Sequence, residues 1–184
     1  MDDMCADITK LPAPREILLA SRELPGLGAL LDCLNPVVQA RLLEGDADPI
    51  PAIARALAHD SLEALHLLGR GAPGEISITA APPLDAEAAR SLRPAASRRL
   101  EVDIWASGVA AGGRGRHFLQ VLAESTRARV LASDGDVGGP DSGASWDLAI
   151  TARPRGSLPF ARPARDALRL PLAAASRIEP LRTR

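Results

Sequence analysis

Short unbroken apolar runs alternate along this chain with stretches whose leucines and alanines recur at helical spacing. EILLA (Glu16 to Ala20), bounded by Pro14 and by Ser21 to Pro25, has the length and continuity of a buried strand. Leu24 to Leu34 carries leucines at helical intervals and stops at Asn35-Pro36. Val37 to Leu43 is again extended, Gly45 to Pro49 turns, and Pro51 opens a helix through Ala58, at a first-turn position where the missing N–H costs nothing. Ala64 to Leu68 is the next apolar run. Strands alternating with helices imply right-handed crossovers. The predicted architecture is a three-layer α/β/α domain with a mostly parallel sheet.

The second half repeats the rhythm with more glycine. Gly69 to Gly74 (GRGAPG) reads as a loop, and the alternating EISIT after it as a small hairpin or edge strand. Asp85 caps a helix running to about Leu92, Leu100 to Ala106 is a buried strand, and Gly108 to Gly115 is a glycine-rich loop. Arg116 to Ser125 follows as an amphipathic helix with Phe118, Leu119 and Leu122 on one face. Arg129 to Ala132 and Trp146 to Ile150 are expected to finish the sheet. Beyond Thr151 the composition shifts to Pro and Arg, with five prolines between Pro154 and Pro180, which suits an extended wrapping segment or a partly disordered tail. The expected division is an N-terminal extension over 1–14, the α/β domain over 15–150 and a Pro/Arg-rich segment over 151–184.

Composition narrows the functional classes. Hydrophobic residues make up 46% of 184 positions, yet there are only two Trp, two Phe and no Tyr, so the core must be aliphatic. A formal net charge of -1 removes the broad attraction that drives non-specific nucleic-acid binding. Lys10 is the only lysine, so nearly every positive charge is an arginine fork. Cys5 and Cys33 form neither a disulfide framework nor a metal-ligand spacing. The acidic start MDDMCADITK is unlike a signal peptide, and no apolar run reaches the roughly 18 residues a bilayer span requires, so the default expectation is a soluble, cytoplasmic chain with no membrane partner.

In open α/β sheets ligands bind beyond the carboxyl ends of the strands, which directs attention to the residues after Leu68 and after Ala106. VAAGGRG offers free N–H groups at a helix start but lacks both the Lys-Ser/Thr of a phosphate loop and the glycine order of a dinucleotide site, so no cofactor is expected. Ser107 stands at a strand end, the place for a nucleophile, without Gly-x-Ser-x-Gly around it. His66 reads as a satisfied core histidine, His59 as a surface cap and His117 as solvated, leaving no evident base. Asp134, Asp136 and Asp141 lie in a polar turn without the order of a calcium loop, and no metal is expected.

Three segments, EALHLLGRGAPGEISI, VAAGGRGRHFLQVLAESTRARVLAS and WDLAI, together resemble the bacterial domain-of-unknown-function family 4347, over about Arg15 to Ile150. That family is found near the N-terminus of large repeat-bearing, adhesin-like proteins and is similar to caspase and gingipain-type cysteine peptidases. The resemblance therefore implies a caspase-like, flavodoxin-like sheet and, for chains in surface proteins, export. It also implies a catalytic dyad, a histidine preceding a glycine after one strand and a cysteine after the next. Matched residue by residue, the histidine falls on Arg70, beside Gly71, and the cysteine on Ser107. The flanking positions depart as well, to Ala106 and Gly108.

Arg70 holds its proton at any ordinary pH, and a hydroxyl is a far weaker nucleophile than a thiolate. His66 would share a strand face with Arg70, but four residues back is roughly 13 Å, too far to replace the missing base. The expectation is a catalytically degenerate domain that binds a protein or peptide partner, with Arg70, Gly71, Ser107, Gly108 and Arg114 around the former site. Two alternatives stay open: a hydrolase using Ser107 with another base, and an anion-binding module formed by Arg70, Arg114 and the Gly112 to Gly115 turn.

Overall fold

The computed structural model describes residues 14–97, 99–139 and 143–148. Five parallel strands form the main sheet: β1 (Glu16–Ser21), β2 (Val38–Leu43), β3 (Ala64–Leu68), β7 (Glu101–Trp105) and β8 (Arg129–Ala132), in the order β2-β1-β3-β7-β8. A second, antiparallel sheet is built from β4 (Arg70–Ala72), β5 (Glu75–Ser77) and β6 (Leu84–Asp85). The helices are α1 (Leu27–Asp32), α2 (Ile50–Leu57), α3 (Ala86–Arg90) and α4 (Gly112–Thr126).

The strand order dictates which face each helix covers. From β1 the chain winds outward to β2, then crosses back over β1 to β3 and continues to β7 and β8. Because every parallel crossover is right-handed, reversing the direction of winding moves the connecting helix to the opposite face. Accordingly α1 contributes Leu27 and Leu30 to one apolar cluster with Leu18, Leu68 and Trp105. α2, α3 and α4 contribute Ile53, Ala89 and Phe118 to the other, with Ile17, Leu65 and Ile104. Alternation along each strand sends even-numbered β3 residues to the first face and odd-numbered ones to the second. The result is the three-layer α/β/α arrangement that the hydrophobic pattern predicts.

Several boundaries differ from the sequence pattern for identifiable reasons. The leucine periodicity of Leu24 to Leu34 includes flanking turns, with Leu27 N–H donating to Leu24 O and Leu34 N–H to Leu31 O, while Gly26 at φ 78° blocks an earlier helix start. α4 begins at Gly112, so the second half of the expected glycine loop is helical. GRGAPG is not a plain loop: Arg70–Ala72 pairs with Glu75–Ser77 as a hairpin whose turn places Gly74 at φ 84°. Trp146 to Leu148 is not strand, although Ser145 makes an isolated bridge to Val137; Ala149, Ile150 and both terminal segments lie outside the described residues.

Asp85 does cap a helix, its Oδ1 accepting from the N–H groups of Glu87 and Ala88, both at 2.9 Å. Asp85→Ala is expected to cost about 1 kcal/mol, the usual loss of an N-cap, read as a lower urea midpoint at unchanged slope.

Candidate functional site

The two strand ends singled out from the sequence meet in space. β3 and β7 are neighbours in register, Leu68 beside Trp105, so the segments leaving them emerge side by side. Gly71 lies against the backbone of Ala106 and Ser107 and the Val109 side chain, where a Cβ has no room. Gly74 N–H donates to Val109 O at 3.0 Å, and Arg114 pairs with Glu75 at 2.9 Å. The hairpin is thus joined to the β7–α4 loop at two points and to the first turn of α4 at a third.

Behind that junction the loop is fastened to the segment after β8. Gly108 N–H donates to Gly135 O at 2.8 Å and Ala110 N–H to Ser133 O at 3.0 Å. Ser107 Oγ accepts from Val137 N–H at 3.0 Å and lies 3.4 Å from Val137 O, to which it donates. Ser107 is 3% exposed and Val137 is fully buried. A hydroxyl that accepts from the N–H and donates to the C=O of one residue beneath packed side chains serves as a structural tie. Gly108, at φ 67°, provides the left-handed kink that turns the chain from strand to loop.

Arg70 lies on the other side of the junction. It is exposed, opens β4 opposite Ser77, and lines two adjoining hollows that share Ser77, Thr79 and Ala80. Neither of these hollows is lined by Ser107. Because β4 belongs to the second sheet, Arg70 and His66 do not share a strand face, which corrects the expectation from residue parity. Around the Gly112 turn, Arg114 pairs with Glu75 and the Gly115 N–H donates to Ala111 O.

His66 is fully buried at the centre of the sheet, each ring nitrogen facing a carboxylate. Nδ1 is 2.9 Å from Asp103 Oδ2 on β7, and Nε2 is 3.3 Å from Glu16 Oε2 on β1. Trp105 Nε1 also approaches Nδ1, at 3.3 Å. That contact has hydrogen-bond geometry with Nδ1 as the acceptor, and since one nitrogen cannot donate and accept at once, Nε2–H is left to donate toward Glu16. The Trp105 ring extends the group toward Trp146, centroid to centroid 6.0 Å. From the sequence only the burial of His66 was legible; Glu16 and Asp103 arrive from other strands. His59, expected as a surface cap, is half-buried, with Nε2 3.3 Å from an Arg41 nitrogen. His117 is exposed on α4.

Among the described residues no group of three or more His, Cys, Asp or Glu side chains is arranged to hold a metal ion. No helix among them is long and apolar enough to cross a membrane. No curated protein matches the chain. A family model described as Domain of unknown function (DUF4347) matches residues 17–167, which takes in the main sheet from the second residue of β1 onward, both site loops and the first part of the Pro/Arg-rich segment. With the strand ends, the hairpin and the β7–α4 loop all inside that match, the chain belongs to the DUF4347 family.

Proposed function

We propose that this chain is a catalytically degenerate, caspase-like domain that binds a protein or peptide partner at the carboxyl end of its sheet. The observation that carries the reading is the state of Ser107: its hydroxyl is buried and engaged in both directions by Val137. A nucleophile needs a base within hydrogen-bond reach and an approach for substrate. Two histidines are engaged elsewhere, His66 with Asp103 and Glu16 and His59 with Arg41. The position matching the family's histidine is an arginine, which cannot accept a proton. What the same strand ends do present to solvent is a guanidinium beside two hollows.

The test is direct. Incubating the purified chain with a peptide library and reading the products by mass spectrometry is expected to show no cleavage, and a fluorophosphonate probe is expected to leave Ser107 unlabelled. Cleavage abolished by Ser107→Ala would establish the hydrolase instead. Ser107→Ala is expected to lower stability by about 1–3 kcal/mol by leaving the buried Val137 N–H and C=O without this partner. The anion-module reading keeps one supporting observation, that the Arg70 side chain has no ion pair or hydrogen bond among the described residues. Its second cation, Arg114, is paired with Glu75.

A further inference from the structure

In a doubly wound sheet the crevice opens where the winding reverses, because the two connections leaving neighbouring strands depart to opposite faces. Here the reversal lies between β1 and β3, one strand away from the β3–β7 junction that the family's dyad positions mark. The β3–β7 junction is filled by Gly71, Val109 and the tie from Ser107 to Val137. The β1–β3 crevice is open: a hollow lies there between Ser21, at the end of β1, and Arg70, just past the end of β3.

We infer that the β1–β3 crevice is the ligand site of this domain, and that it takes an acidic side chain of a peptide on Arg70. This inference rests on the peptide-binding reading and specifies its place and chemistry. The walls are held in place without a ligand. Thr79 Oγ1 donates to Ala47 O at 2.7 Å and accepts from Ala81 N–H at 3.3 Å, fixing the β5–β6 loop against the β2–α2 turn. Ser21 Oγ accepts from Glu23 N–H at 3.1 Å. These hydroxyl and backbone groups are therefore already engaged, whereas the side chains of Arg70, of Glu23 and, directly across the ladder from Arg70, of Ser77 have no hydrogen bond or ion pair among the described residues. Buried Leu24 and Ile78 add apolar surface beside them, and Pro82 and Pro83 border the adjoining hollow.

Charge selects the ligand class. One guanidinium fork matches one carboxylate, two parallel N–H···O bonds to a single negative charge. Glu23 lines the same hollow, and Glu75 lines the neighbouring one with its charge balanced by Arg114. A dianionic phosphate would bring two negative charges into a hollow that already holds Glu23, with one cation to offset them, so a carboxylate is preferred.

A phage-displayed random dodecapeptide library panned on the full chain, with selected peptides then titrated by fluorescence polarisation, tests this. The expected result is enrichment of peptides sharing an Asp or Glu. Their affinity should fall roughly tenfold or more on Arg70→Ala, the size of one charge-assisted bidentate contact, and partly on Arg70→Lys, which keeps the charge without the fork. Circular dichroism on both variants checks that these surface substitutions leave the fold intact. Enriched peptides that lack an acidic residue, or that bind Arg70→Ala as tightly, would overturn the crevice assignment and leave peptide binding standing. Inorganic phosphate displacing the peptides more strongly than acetate would overturn the carboxylate preference. A library yielding no binder would overturn both the inference and the reading beneath it.

Discussion

A Gly115→Val chain is expected to lose roughly 3 kcal/mol of stability, at or beyond the upper end of what overpacking usually costs. Gly115 is on the first turn of α4, pressed against the loop that leads into it. A Cβ there would sit 2.6 Å from Val109 O and 2.7 Å from Ala110 O, with the Ala110 carbonyl carbon closer still. All three are backbone atoms, so no side chain can rotate away. The loop cannot retreat either, because Gly108 and Ala110 are bonded to the segment after β8. Urea unfolding is expected to show the loss as a lower midpoint. Gly113, two residues earlier on the same turn, has nothing within 4 Å of its Cβ position. Gly113→Ala is therefore expected to be neutral or stabilising, since alanine is the better helix former. Equal losses at both positions would refute the packing explanation.

His66→Ala is expected to cost on the order of 3 kcal/mol, combining the cavity left by a fully buried ring with the loss of its charge-assisted contacts. The imidazole lies between Asp103 and Glu16 and tilts against Trp105, centroid to centroid 6.4 Å. Removing it changes the surroundings of two carboxylates and one indole together. Near-ultraviolet circular dichroism should thus change along with the melting temperature. Asp103→Asn retains the volume and an acceptor, so its loss should be smaller. The His66→Leu, Asp103→Leu double variant should lose less than the two single variants summed, because replacing both members of a buried polar pair removes the desolvation cost as well as the contact. Additive losses would mean that the two side chains act independently.

The strands were legible because a sheet buried on both faces requires continuous apolar runs. EILLA, ALHLL and RVLA announce themselves by length and bounding breakers, and β3 and β8 carry the expected limits. β4 was not legible: RGA has no period of its own and becomes a strand only by pairing with EIS across the Pro73-Gly74 turn. The start of α4 was missed for a related reason. Glycine weakens a helix in isolation, yet Gly115 is required where the first turn of α4 packs on the preceding loop.

The candidate site divides in the same way. Its location beyond the strand ends follows from the alternation of strands and helices, and the identities of Arg70 and Ser107 at those ends are visible in the residues themselves. Sequence alone determined that no proton acceptor stands at position 70, that the core is aliphatic and that the sheet is parallel. These are properties of residue type and local period, which need no knowledge of neighbours. Tertiary structure decided that the Ser107 hydroxyl is engaged by the backbone of Val137, thirty residues away. It also decided that His66 faces carboxylates from two flanking strands and that the winding reverses between β1 and β3. Strand order and register are set by contacts distant along the chain, so local pattern identifies the strands while packing determines which ends close and which stay open.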